Sequence, residues 1–256
     1  MINIGEIKKH YPGINGFERA LLREYLQYKI LNAIFVSKIG RKLSFLGGTA
    51  LKIVYGGYRF SEDLDFDNFN LGKNEFEQMT HEIKRALDLE GYLTEIRNVY
   101  KGAFHCHIKI SELLFNNNLS HMASEKLVIQ VDTVPHNFKY EPKVYYLQKF
   151  DVGRNIKVTP IDILLSQKIA AIFGRKRTKG RDFYDVLHLI NRTDFNYEYL
   201  DFKLGIKNKK ELKEKLLSFC QDLNFAHLSE DVMPFLLKKQ DAEQILHFQE
   251  YIEQEL

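Results

Sequence analysis

Asp63, Asp65 and Asp67 stand at alternate positions in the stretch 46–67, LGGTALKIVYGGYRFSEDLDFD. On a strand, successive side chains point to opposite faces, so these carboxylates share one side while Leu64 and Phe66 take the other. Like charges that close repel unless a cation lies between them. Hard divalent cations take oxygen donors of this kind, completed by substrate phosphates and water. Upstream, Gly47 and Gly48 let the backbone approach a ligand closely, and the helix after them offers N–H donors to a phosphate. Each feature alone has an ordinary explanation, a tight strand-to-helix turn or a solvated acidic edge. Together they point to a metal site beside a phosphate-holding turn. Asp67 is the weaker member, because it lies where the strand gives way to residues 68–70.

Further along, Asp132 interrupts the apolar run KLVIQVDTV, with Val128 and Val134 on its own face and Ile129 and Val131 opposite. A buried carboxylate there needs a partner or a metal. The alternative is a local turn with Thr133 and Pro135. Joined to Asp63 and Asp65, it could hold metal or act as general base toward an incoming hydroxyl. Lys168 sits among Ile169, Ala170 and Ala171 in an apolar helix, so its ammonium either reaches a phosphate or snorkels to water. Asp182 and Asp185 are three apart on the next helix and can share an acidic face or form ion pairs. The cluster Arg175, Lys176, Arg177, Lys179 and Arg181 is a solvated loop or a grip on a nucleic acid backbone. The lysines of 207–215 read the same way. His105 and His107 alternate on a strand, but no further ligand has suitable spacing, so they read as strand residues and not as a metal site.

Those residues need elements to hold them. Apolar spacing predicts a long amphipathic helix over 16–39, a strand over 43–46, and a helix from Thr49 as cap to Tyr55. A strand over 64–69 and a helix over 75–89 follow. Strands over 92–100 and 103–110, joined by a hairpin turn at Lys101-Gly102, precede others over 126–134 and 144–150. From Pro160 onward the pattern is helical. With 256 residues the chain has room for a sizeable core, and that core must be aromatic without tryptophan, from 19 Phe and 14 Tyr. A net charge of +3 does not by itself establish a polyanionic partner. Cys106 and Cys220 lack a paired spacing, which argues against a disulfide framework or zinc ribbon. The N-terminal residues do not resemble a signal peptide, and no apolar run reaches membrane-spanning length. A soluble, cytoplasmic protein is the expectation.

The phrases FLGGTALKIVYGGYRFSEDLDF and LLSQKIAAIFGRKRTKGRDFYDVLHL closely resemble the AbiEii/AbiGii-type nucleotidyltransferase toxins of bacterial toxin–antitoxin and phage-abortive-infection systems. The resemblance implies an α+β, polymerase-β-like nucleotidyltransferase core with a mixed β-sheet and a helical C-terminal lobe, here residues 1–155 and 156–256. It implies that Gly47, Gly48, Thr49 and Ser61 bind nucleotide, and that Asp63 and Asp65 bind metal with Asp132 as a third carboxylate. Lys168 would contact the nucleotide phosphates and Asp182 would be the acidic residue of the last motif. The implied cofactor is Mg²⁺ or Mn²⁺, and the implied reaction is transfer of a nucleoside monophosphate from an NTP to an acceptor hydroxyl with release of pyrophosphate. The leading acceptor is the 3′ end of tRNA, and a cognate antitoxin is the expected protein partner. The first motif reads Gly-Gly-Thr where many of the superfamily have Gly-Ser, which leaves open how the phosphates are held. Two other readings stay open: an enzyme acting on a protein or small molecule, and a nucleotide-binding module that sequesters a partner.

Overall fold

A computed structural model describes residues 2–256. The chain divides into two units, the first holding residues up to 54 with 60–159, the second holding residues 55–59 and 160–256.

The first unit opens with a short helix, α1 (Ile4–Lys8), and a long one, α2 (Glu18–Val36). The spacing predicts an amphipathic α2, but the helix is buried round most of its circumference, Glu24, Gln27 and Lys29 included. Buried polar groups need partners, and these have them. Glu24 accepts from Tyr11 and from Lys149, while Lys29 pairs with Glu90 and Asp151.

Around α2 the chain lays down β1 (Leu43–Leu46), α3 (Gly47–Val54), β2 (Leu64–Asn68), α4 (Lys73–Leu89), β3 (Leu93–Tyr100) and β4 (Phe104–Ser111). Then come α5 (Leu113–Asn116), β5 (Leu127–Pro135), β6 (Lys143–Lys149) and β7 (Val152–Val158). The strands form one seven-stranded mixed sheet in the order β3-β4-β5-β2-β1-β7-β6. Strand β2 runs parallel to β5 and β1 parallel to β7, while the other neighbours are antiparallel. One face of the sheet carries Phe45, Leu64, Phe66, Ile129 and Val131, all essentially inaccessible. There the Phe66 ring meets Phe45 at 5.5 Å and Phe35 of α2 at 6.3 Å. Burying each such side chain is worth about 1.5–3 kcal/mol. That burial fixes which face of β2 is left for its aspartates.

Strand β7, like the short helices α1 and α5, is not predicted by apolar spacing. Its inward residues Val152, Ile156 and Val158 are separated by Gly153, Arg154, Asn155 and Lys157. A Cβ at Gly153 would stand 2.8 Å from the hydroxyl at the tip of the exposed Tyr146 on β6. The expected division after residue 155 falls inside this strand, and the units divide after Thr159 instead.

The second unit is helical: α6 (Ile161–Gly174), α7 (Gly180–Leu189), α8 (Tyr197–Leu204), α9 (Lys209–Cys220), α10 (Phe225–Val232) and α11 (Phe248–Glu255). Its core joins Phe183, Phe225 and Phe248. Helix α7 starts flush against α10, since a Cβ on Gly180 would lie 1.8 Å from the Leu228 carbonyl oxygen. Residues 55–59 are pinned into this unit by an isolated bridge between Arg59 and Leu236 and by Arg192, which donates to the Tyr55 carbonyl at 2.8 Å.

Candidate active site

Strand β1 ends at Leu46, paired with Asp65 of β2, and the chain then turns sharply into α3. Gly47 makes that turn at φ +80°, a conformation L side chains rarely adopt. A Cβ at Gly47 would also lie 2.2 Å from Asp65 Oδ2. The Asp65 carboxylate therefore lies directly against the glycine backbone at the start of α3. Helix α3 already begins at Gly47, so Thr49 is not its cap as expected. Thr49 is buried in the first turn, and its hydroxyl donates to the carbonyl oxygen of Asp63. From the other side, Gln27 of α2 donates to the carbonyls of Ser61 and Glu62, each at 3.0 Å. The segment carrying Ser61 and Asp63 is thus fastened to both α2 and α3.

Asp65 and Asp132 are register partners on the parallel strands β2 and β5, so both carboxylates leave the sheet on the same face. The sequence suggests a buried Asp132. Its side chain is 20% exposed instead, because the face it shares with Val128 and Val134 is open. Asp132 Oδ1 contacts His105 Nδ1 at 2.8 Å, and Gln130 Nε2 reaches both carboxylate oxygens at 2.8 Å. His105, read from sequence as an ordinary strand residue, is the cross-strand partner of Asp132. Only its alternation with His107 hinted at a shared face.

Asp67 belongs to a different arrangement. It is buried, accepts from the Tyr140 hydroxyl at 2.6 Å and meets His136 Nδ1 at 2.9 Å. Tyr140 continues to Thr159 and Thr159 to Ser44, which ties β2 to β1 and the end of β7. Burial first, and then Asp67, push the Tyr140 hydroxyl far above its ordinary value.

Among the described residues no group of three or more His, Cys, Asp and Glu side chains converges as a metal cage would. The expected trio Asp63, Asp65 and Asp132 is not assembled as one. The donors still suit a hard cation that arrives with its nucleotide, since Mg²⁺ needs only one or two carboxylates when phosphates and water supply the rest. A cation on Asp132 would first have to displace Gln130. Lys52 of α3, which the sequence reading passed over, rests its ammonium 4.8 Å over the Phe60 ring. Burial draws its pKa below the ordinary lysine value, against the opposing pull of Glu24.

The remaining site candidates lie in the second unit. Lys168 of α6 is buried and contacts Asp185 at 2.8 Å and Asp182 at 3.5 Å. Asp185 is also gripped in a fork by Arg59, Nε to Oδ1 and Nη2 to Oδ2, both at 2.6 Å. Burial alone would raise the Asp185 carboxyl, but Arg59 and Lys168 overcome it and hold the pKa at about 2. Asp182 takes Arg175 Nε on its other oxygen at 2.6 Å. The basic cluster therefore splits. Arg175 is bound to Asp182, Lys179 faces Asp231 at 4.0 Å, and Arg181 lies over Phe235. Lys176 and Arg177 are exposed in the loop between α6 and α7.

Comparison with known proteins places the chain in a family. The family model described as "Nucleotidyl transferase AbiEii toxin, Type IV TA system" matches residues 29–254. The chain belongs to the AbiEii nucleotidyltransferase toxin family. It is a nucleotidyltransferase, with the mixed sheet and helices of that fold. Among solved structures it resembles JHP933 from Helicobacter pylori, at 20% identity and TM-score 0.56, covering 93% of this chain and 94% of that one. It also resembles MenT4, a nucleotidyltransferase toxin from Mycobacterium tuberculosis, at 14% identity and TM-score 0.59, covering 100% and 93%. At such identities the likeness is one of fold. No curated protein matches the sequence. No helix of the described residues is long and apolar enough to cross a membrane.

Proposed function

We propose that this AbiEii-family enzyme transfers a nucleoside monophosphate from an NTP to the 3′ hydroxyl of tRNA, in a divalent-cation-dependent reaction that releases pyrophosphate. The observation that carries the reading is the Asp65 carboxylate seated on the Gly47 turn and in register with Asp132. Asp63 and Asp65 hold the cation, and the backbone of Gly47 and Gly48 receives the triphosphate. A bound cation supplies neutralisation of the phosphate charge that develops during transfer. Thr49 and Gln27 fix the segment that bears Ser61 and Asp63. Asp132, oriented by His105 and Gln130, accepts the proton of the attacking hydroxyl. Lys52 supplies a desolvated ammonium on the helix that follows the glycine turn. As the resemblance implies, Lys168 would contact the nucleotide phosphates and Asp182 would be the acidic residue of the last motif. The exposed Lys176 and Arg177 contact the RNA backbone, and a cognate antitoxin restrains the enzyme in the cytoplasm, as part of a phage-defence system.

The test is incubation of the protein with Mg²⁺, total tRNA and each α-labelled NTP in turn. Label on tRNA with at least one nucleotide is expected, and its removal by chelator. Absence of label with all of them contradicts the tRNA acceptor, and label that survives chelation contradicts the cation.

A further inference from the structure

The second unit contains a cavity of 640 Å³ whose lining includes Tyr58, His188, Asn191, Arg192, Lys238 and Asp241. Tyr58 is an exposed aromatic residue on this cavity's rim. It is 58% exposed, yet it does not hang from a loose loop. The next residue, Arg59, is locked into Asp185 by the two-pronged contact and bridged to Leu236. At the other end of the same short segment, the Tyr55 carbonyl is held by Arg192 at 2.8 Å and by His188 Nε2 at 3.3 Å. The His188 ring stands edge-on to Tyr58, at 5.5 Å and 88°. Burial keeps the pKa of this imidazole below its ordinary value, so the ring adds no charge at neutral pH.

A rigid, exposed phenol ring at the rim of a cavity is a stacking platform for a flat, uncharged ring. The charges beside it select the ligand. Arg192 and Lys238 outnumber Asp241, which leaves an excess of positive charge suited to a phosphodiester. Asn191, whose Nδ2 also donates to the Tyr251 hydroxyl, contributes an amide oxygen that can accept from the edge of a base. A flat heterocycle joined to an anion is a nucleotide, and the volume exceeds what one nucleotide fills.

We infer that this cavity seats one unpaired nucleotide of the acceptor RNA, its base stacked on Tyr58 and its phosphate between Arg192 and Lys238. The inference rests on the reading that the acceptor is RNA, and it assigns that RNA a contact outside the residues already placed in the transfer reaction. Base–aromatic stacking tolerates any base, so the contact grips single-stranded RNA without choosing sequence.

The experiment measures binding of a short fluorescein-labelled single-stranded RNA by anisotropy, and of a fluorescent NTP analogue in parallel. The proteins are the unaltered chain, Tyr58→Ala, Tyr58→Phe and Lys238→Ala. Tyr58→Ala should weaken RNA binding about tenfold or more, as loss of one base–aromatic stack does, while Tyr58→Phe retains it. Lys238→Ala should reduce the slope of log affinity against log salt by about 0.7, the value for one phosphate of a single strand. NTP affinity should be unchanged in all three variants. RNA bound by the unaltered chain and equally by Tyr58→Ala overturns the cavity assignment and leaves the RNA acceptor standing. Loss of NTP binding in Tyr58→Ala also overturns it, by giving the cavity to the donor nucleotide. No RNA binding by the unaltered chain removes the RNA reading and this inference together.

Discussion

Gly47 is the residue whose side chain, or lack of one, sets the geometry of the site. Its φ of +80° would strain any L side chain, and a Cβ there would push against the Asp65 carboxylate. Gly47→Ala should cost roughly 1–3 kcal/mol in backbone strain and abolish transfer by displacing Asp65, measured by urea unfolding alongside label transfer. Asp185 makes the contrasting case of a carboxylate that holds the fold. Asp185→Ala leaves Arg59 and Lys168 as buried cations without that partner, so a loss of about 3–5 kcal/mol is expected in urea unfolding. Its pH dependence follows from the lowered pKa. The folded state prefers the ionised form, so the stabilisation is complete above the ordinary value of 3.8 and is lost as pH falls through about 2. Unfolding free energies measured from pH 5 down should show this acid slope in the unaltered chain and a shallower one in Asp185→Asn.

At the scale of elements, the site is a strand–turn–helix–loop–strand unit, and what keeps its loop in place is a pair of side chains from neighbouring helices. Gln27→Leu preserves volume but leaves the Ser61 and Glu62 carbonyls without their donor. A cost of about 1–3 kcal/mol is expected, with faster amide hydrogen exchange confined to residues around 60–64. Much of this unit is legible in sequence: Gly47-Gly48 announces the turn, and the alternation of Leu64 and Phe66 with aspartates announces which face is buried. Local pattern does not announce long-range partners. Gln27 reads as one polar position on a helix, and nothing near Arg59 points to Asp185, which lies 126 residues away. The same limit separates Asp67 from Asp65. Both have the same spacing, but only Asp67 meets Tyr140 and His136, which arrive from another part of the chain. Strand β7 escapes notice because its apolar residues are diluted by a glycine and charged residues, and only pairing with β1 and β6 makes it a strand.

For the molecule as a whole, a net charge of +3 is modest, so the proposed affinity for RNA would have to come from where the charge is left unspent. Arg175 and Lys179 face carboxylates within the fold, whereas Lys176 and Arg177 are exposed. Replacing Lys176 and Arg177 together by alanine should weaken tRNA binding and lower the salt slope by roughly 1.4–1.8, about 0.7–0.9 for each phosphate no longer neutralised, without changing thermal stability. A titration of anisotropy at several salt concentrations reads both quantities. The central claim is that the Asp65 carboxylate, seated on the glycine turn, is required for nucleotidyl transfer. Its most direct test is the rate of label transfer from α-labelled NTP to tRNA by the unaltered chain and by Asp65→Asn, two proteins matched in shape and checked for equal thermal stability. A fall of at least about 100-fold is expected, the rate equivalent of losing several kcal/mol of charge stabilisation. Transfer by Asp65→Asn at the unaltered rate would contradict the account.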